Sequence, residues 1–92
     1  MGRAYIPKPP RPEGLIAIDR ANLRALLRHL HREHGSWVRV ARAVGARRGL
    51  VVAFFREEHE GHVTLARGIA RACGLSYEDA IAGLPPKKAR AA

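Results

Sequence analysis

Apolar residues in the middle of the chain recur at helical spacing. Leu23, Leu26, Leu27 and Leu30 fall on one face of a helix. Asp19 is a good N-cap for that helix, predicted from about Arg20 to Glu33, and Gly35 fits the left-handed position after its end. Ser36 caps a second helix, Trp37 to Val44, which Gly45 ends. A third runs from about Arg47 to Glu57 and holds six consecutive apolar residues, Leu50-Val51-Val52-Ala53-Phe54-Phe55. Periodicity alone would also allow a buried strand there. Glu57-Glu58-His59-Glu60-Gly61 is a polar break. Thr64 then caps a fourth helix, Leu65 to Cys73, closed by Gly74. Ser76-Tyr77-Glu78-Asp79 opens a short fifth helix to about Ala82, stopped by Gly83, Pro85 and Pro86. The predicted fold is all-α, a compact bundle of five short helices. Gly14 to Ile18 is apolar but short, and the pattern does not separate a small strand from an arm lying on the core.

The flanks differ in kind. Residues 1–14 contain Pro7, Pro9, Pro10 and Pro12 among Arg3, Lys8 and Arg11, an extended basic arm. Residues 85–92 read as a second basic tail, which leaves 15–84 as the folded domain. At 92 residues the chain has room for one domain. It contains no apolar run of about 18 residues and no apolar stretch at its start, so neither a spanning helix nor a secretory signal is expected, and a cytoplasmic protein is. The single cysteine, Cys73, forms no internal disulfide or cysteine-based zinc finger and reads as a small core residue.

Charge changes the picture more. Lys and Arg number 17 against 8 Asp and Glu, a formal net charge of +9, and 14 of the 17 are Arg. Eight arginines and one acid lie between residues 20 and 48, so +7 of that charge sits in under a third of the chain. Arg suits bidentate contacts with phosphate and guanine, and the first expected partner is nucleic acid. The plainer alternative is a solvated surface in an Arg- and Ala-rich protein.

The segment from Trp37 to Arg56 is the most specific. Ala41, a small residue, lets a second helix approach, and Gly45 four residues later allows the positive φ of a tight turn. Val40, Val44, Val51 and Phe54 would fill the angle between two crossing helices, a helix-turn-helix. On Val40-Ala41, Val44-Gly45-Ala46, Val51 and Ala53-Phe54, and on Leu65 through Ile81 as a closing pair of helices, the chain resembles the lambda repressor/Cro type of helix-turn-helix DNA-binding domain over about residues 20–83. The resemblance decides the apolar run as helix. It implies a transcriptional regulator, bacterial or phage-encoded and associated with the nucleoid, usually a homodimer on half-sites ~34 Å apart, with the second motif helix in the major groove of double-stranded DNA. By position, Arg47, Arg48, Gly49 and Val52 face the bases: an arginine pairs with guanine, Gly49 permits close backbone approach, and Val52 meets a thymine methyl. Ser36, Trp37, Arg39 and Arg56 fall where phosphates are contacted. Arg3, Lys8 and Arg11 would reach a neighbouring minor groove. Dimerisation would use the fifth helix, Leu15–Ile18 or open apolar positions of the third.

Other features point elsewhere. Residues 47–56 lack Asn, Gln, Ser and Thr, and Leu50, Val52 and Phe55 exceed what the motif's core needs. Glu57, Glu58 and Glu60 follow where a phosphate backbone would approach. A protein partner reached through Leu50, Val52 and Phe55, or through the i, i+4 stripe Arg20/Arg24/Arg28/Arg32, is the alternative: an antitoxin or adaptor. Nonspecific nucleic-acid packaging is a third. That stripe reads otherwise as a solvated face, or as a contact to DNA flanks. His31/His34 and His59/His62 are spaced for two ligands each, but no cysteine pair or carboxylate cluster completes a metal site, and solvated histidines are expected. Trp37 reads as a packing residue. With no nucleophile–base set, phosphate-binding Gly loop or paired acids, neither an enzyme nor a cofactor is expected.

Overall fold

The computed structural model describes residues 15–86, and these form an all-helical bundle: α1 Ala17–His34, α2 Trp37–Val44, α3 Arg48–Phe55, α4 Val63–Ala72 and α5 Tyr77–Ile81. The apolar run from Leu50 is helical, as the resemblance implies. α1 is the spine, packing against all four other helices, while α4 packs against α2 and α5. Leu23, Leu27, Leu30, Val40, Val51, Phe54, Leu65 and Ile69 are fully buried at the centre. Each is worth about 1.5–3 kcal/mol of transfer free energy.

Two helix starts differ from expectation. α1 begins at Ala17 rather than Arg20, because Asp19 acts from inside the first turn. Its buried carboxylate accepts the backbone N–H of Ile16 at 3.4 Å, and Ile16, which has no side-chain acceptor, occupies the N-cap. The acid also complements the helix N-terminus. α4 begins at Val63, and its cap is His62, not Thr64: the imidazole Nδ1 accepts the N–H of Leu65 at 3.1 Å. Ser36 and Ser76 cap α2 and α5 as expected, accepting the N–H groups of Arg39 at 3.2 Å and Asp79 at 3.1 Å. α3 is shorter than predicted at both ends. Leu15 is buried in the core and Ala17 and Ile18 are helical, so the Gly14–Ile18 segment forms no strand over its described residues.

The C-terminus of α3 explains its shortening. The N–H of Glu58 bonds to Ala53 O at 2.8 Å and that of Glu57 to Phe54 O at 3.1 Å, which closes the helix in the 6→1, 5→2 pattern. The pattern needs a left-handed residue in its middle, and Glu57 fills it at φ +67°. α4 and α5 end in the same way with Gly74 and Gly83 in that position.

Tight packing fixes how α2 meets α4. A Cβ on Gly68 would stand 2.3 Å from Val44 O, so only glycine allows this approach. Arg71 Nη2 donates to that same carbonyl at 3.3 Å. The α2–Gly45-Ala46-Arg47–α3 unit is thereby pinned from behind by α4.

Candidate nucleic-acid interface

Val40, Ala41, Val44, Val51 and Phe54 are all buried where α2 and α3 meet, as their spacing predicts. Gly45 takes φ +82°, and its N–H and that of Ala46 both bond to Ala41 O, at 2.8 and 3.1 Å. This turn brings α3 out so that Arg47, Arg48 and Gly49 are exposed and Val52 is half-buried. Gly49 is open: a Cβ there would meet nothing within 4 Å. Arg47 is the N-cap of α3 but provides no side-chain acceptor to the first-turn N–H groups, in contrast to the side chains that cap α2, α4 and α5.

The predicted site residues divide into groups. Arg48, Gly49 and Val52 share the outer side of α3. Arg47 instead lines a cavity of about 460 Å³ between the α2–α3 turn and the start of α4, with His59, His62, Thr64 and Leu50. Arg39 shares a basic notch of about 300 Å³ with Arg42 and His34. Arg56 is exposed at the far end of α3, about 12 Å along the axis from Arg48. Ser36 Oγ is engaged in its cap, and the Trp37 ring packs between His31 (centroids 4.4 Å apart) and Phe55 (4.9 Å), so Trp37 has its backbone rather than its ring to offer a phosphate. Arg3, Lys8 and Arg11 lie outside the described residues. Sequence reasoning did not associate His59, His62 and Thr64 with Arg47, since only the tertiary fold folds that loop back. Arg42 was legible, three residues from Arg39 on one helix face.

The three glutamates that counted against a nucleic-acid partner face elsewhere. Glu57, Glu58 and Glu60 line a cleft of about 670 Å³ on the other side of the loop, against Ala17, Arg20, Ala21 and Arg24 of α1. No Asp or Glu is among the described residues lining the cavity beside Arg47. His59 borders both, so the loop lies between the cavity of Arg47 and a cleft in which the three glutamates face Arg20 and Arg24.

The arginine stripe of α1 is divided, with Arg20 and Arg24 half-buried and Arg28 and Arg32 exposed as a solvated face would be. Arg24 Nε donates at 2.8 Å to Phe54 O, the carbonyl near the end of α3 that also accepts the Glu57 N–H, and its guanidinium lies 4.9 Å from the Phe54 ring centre. Arg28 stacks 5.6 Å from the Phe55 ring centre, and Arg20 donates to Leu15 O. Arg32 remains exposed. The excess apolar positions of α3 are also partly absorbed, since Leu50 and Phe55 are half-buried against the core.

Cys73 is buried, as expected. Burial, and secondarily the charge of Glu33, pushes its thiol up to about 11. Among the described residues no three of His, Cys, Asp and Glu gather into a metal-holding group, and no helix is long and apolar enough to cross a membrane. No family model matches the chain, and no curated protein or solved structure matches it.

Proposed function

We propose that this chain is a helix-turn-helix DNA-binding domain of the lambda repressor/Cro type, acting as a transcriptional regulator. In this reading α2 and α3 are the two motif helices, and α3 enters the major groove. Arg48 hydrogen-bonds guanine, Gly49 lets the backbone approach the base edges, and Val52 lies against a thymine methyl. Arg39 and Arg56 contact phosphates on either side, and the first turn of α2 offers backbone N–H groups to another.

The observation that carries the reading is the exposed N-terminal turn of α3, with two arginines and a bare glycine outward while Val51 and Phe54 anchor the inner face. The placement of Glu57, Glu58 and Glu60 against α1 supports it, because no acid is among the described residues lining the cavity beside Arg47. The half-burial of Leu50 and Phe55 weakens the case for a protein-docking third helix. For a second copy of the chain, the large apolar side chains still open among the described residues are Ile18, Val38 and Leu84.

The test is a selection from random duplexes with the purified protein, followed by titration of the selected sequence. Enrichment of a site whose affinity falls when Arg48 becomes Ala, more than that of an unrelated duplex does, supports the reading. Equal loss on all sequences supports nonspecific packaging instead.

A further inference from the structure

The loop between α3 and α4 holds two imidazoles with an unusual constraint in common. His59 Nδ1 accepts the N–H of Gly61 at 2.8 Å, and His62 Nδ1 accepts that of Leu65 at 3.1 Å. A nitrogen that accepts a backbone N–H carries no proton of its own, so each neutral ring must hold its hydrogen on Nε2. Both rings are exposed, stand edge-to-face with centroids 6.4 Å apart, and line the cavity that contains Arg47 and Thr64. Beside the apolar Val44, Leu50 and Leu65, the cavity thus gathers a guanidinium, two imidazoles fixed as Nε2–H donors and a hydroxyl, with no carboxylate among its described lining residues, while His59 also borders the cleft of the three glutamates. A set of donors with no carboxylate beside it suits a tetrahedral oxyanion, and the planar guanidinium fork suits phosphate in particular.

We infer that the cavity between the α2–α3 turn and the start of α4 is a phosphate site, with Arg47 as its charged contact and His59 and His62 as neutral donors. This deepens the DNA reading and, where the phosphate is that of a DNA backbone, rests on it. It also reassigns Arg47: this arginine positions the domain on a phosphate, and Arg48 is left as the arginine that reads bases. A free phosphate or a nucleotide would present the same chemistry, so the test separates the sources.

The full chain is titrated with inorganic phosphate while the ring nitrogens of its histidines are followed by long-range proton–nitrogen NMR. The expected spectrum shows His59 and His62 as Nε2–H tautomers whose signals move together and saturate. In parallel, wild type, Arg47→Ala and a His59→Ser/His62→Ser variant are titrated with duplex DNA over a range of salt. The serines keep an acceptor for the Gly61 and Leu65 N–H groups while removing the imidazoles. Arg47→Ala is expected to weaken binding about tenfold on every sequence and to flatten the salt slope by about 0.9. The double serine variant is expected to weaken binding about tenfold without changing the slope, since a neutral donor displaces no counterion. A duplex with neutral methylphosphonate linkages in place of the contacted phosphates would abolish these differences if the backbone is the ligand.

Rings unmoved by phosphate, together with a serine variant that binds duplex like wild type, would overturn the inference and leave the DNA reading standing. If wild type binds no duplex at all, the DNA reading fails and the phosphate titration alone decides: saturating ring shifts uphold a site for free phosphate, and unmoved rings remove it.

Discussion

Replacing Gly49 with Ala sets stability against function at one position. Gly49 is the second residue of α3, in helical conformation, and the added methyl would meet no protein atom within 4 Å. With no clash, the change acts on the backbone alone: glycine costs a helix roughly 0.5–1 kcal/mol relative to alanine. For a domain of this size that is a rise in Tm of about 2–8 °C. On the DNA side the sign reverses. The methyl would stand where the backbone is proposed to approach the base edges and would hold α3 away from the groove. Contacts by Arg48 and Val52 worth ~1–3 kcal/mol each would lengthen, and affinity for a selected duplex would fall about tenfold or more. Thermal melting by circular dichroism gives the first quantity and fluorescence anisotropy with labelled duplex gives the second. A Gly49→Ala protein that is more stable and binds DNA as wild type does would refute the close approach. One that is less stable would refute the open surface around Gly49.

Three further outcomes are expected. Gly68→Ala places a methyl 2.3 Å from Val44 O, a backbone atom that cannot turn aside, so it should lower stability by about 1–3 kcal/mol in denaturant titration, and an unchanged midpoint would contradict the α2–α4 contact. Glu57→Gly relieves a left-handed residue and should raise stability by about 1 kcal/mol, as seen in the same titration, whereas Gly74→Glu at the equivalent position of α4 should lower it. Cys73 gives a pH signature. Its thiol is pushed from 9.0 to about 11 in the fold, chiefly by burial, so the unfolded chain releases the proton first. Its contribution is intact below pH 9 and is lost as pH rises from there to about 11, by at most about 2–3 kcal/mol. Cys73→Ala should remove that part of the alkaline decline, and equal declines in the two proteins would contradict the buried thiol.

The features legible in the sequence were those set by neighbours along the chain. Ser36 and Ser76 announce their helices because each hydroxyl meets an N–H three residues on. Gly45 and Gly74 announce helix ends because positive φ is theirs at little cost. The core stripe of α1 follows from spacing alone. What escaped depends on residues brought together from afar, or on a local conformation that residue type does not announce. Thr64 is a stronger cap by type than His62, but the loop delivers His62 to the N–H of Leu65. Glu57 gives no outward sign of left-handed backbone. Arg20 and Arg24 resemble part of a solvated face until Leu15 and α3 are placed against them. The acids at 57–60 looked adverse because linear order sets them beside α3, whereas the turn at Glu57 directs them into the cleft facing α1. Arg47 and Arg48 are adjacent in sequence, yet only Arg47 lines the cavity formed by a loop more than ten residues away.

The central claim, that the exposed turn of α3 meets duplex DNA, is tested most directly by titrating the intact protein with its selected duplex at a series of salt concentrations. Contacts by Arg39, Arg47 and Arg56 predict that log K falls with log salt at a slope of about −2.7 per bound chain or steeper, with Arg48→Ala losing affinity for that sequence selectively. Absence of duplex binding at about 50 mM salt, or an affinity indifferent to salt, would contradict it.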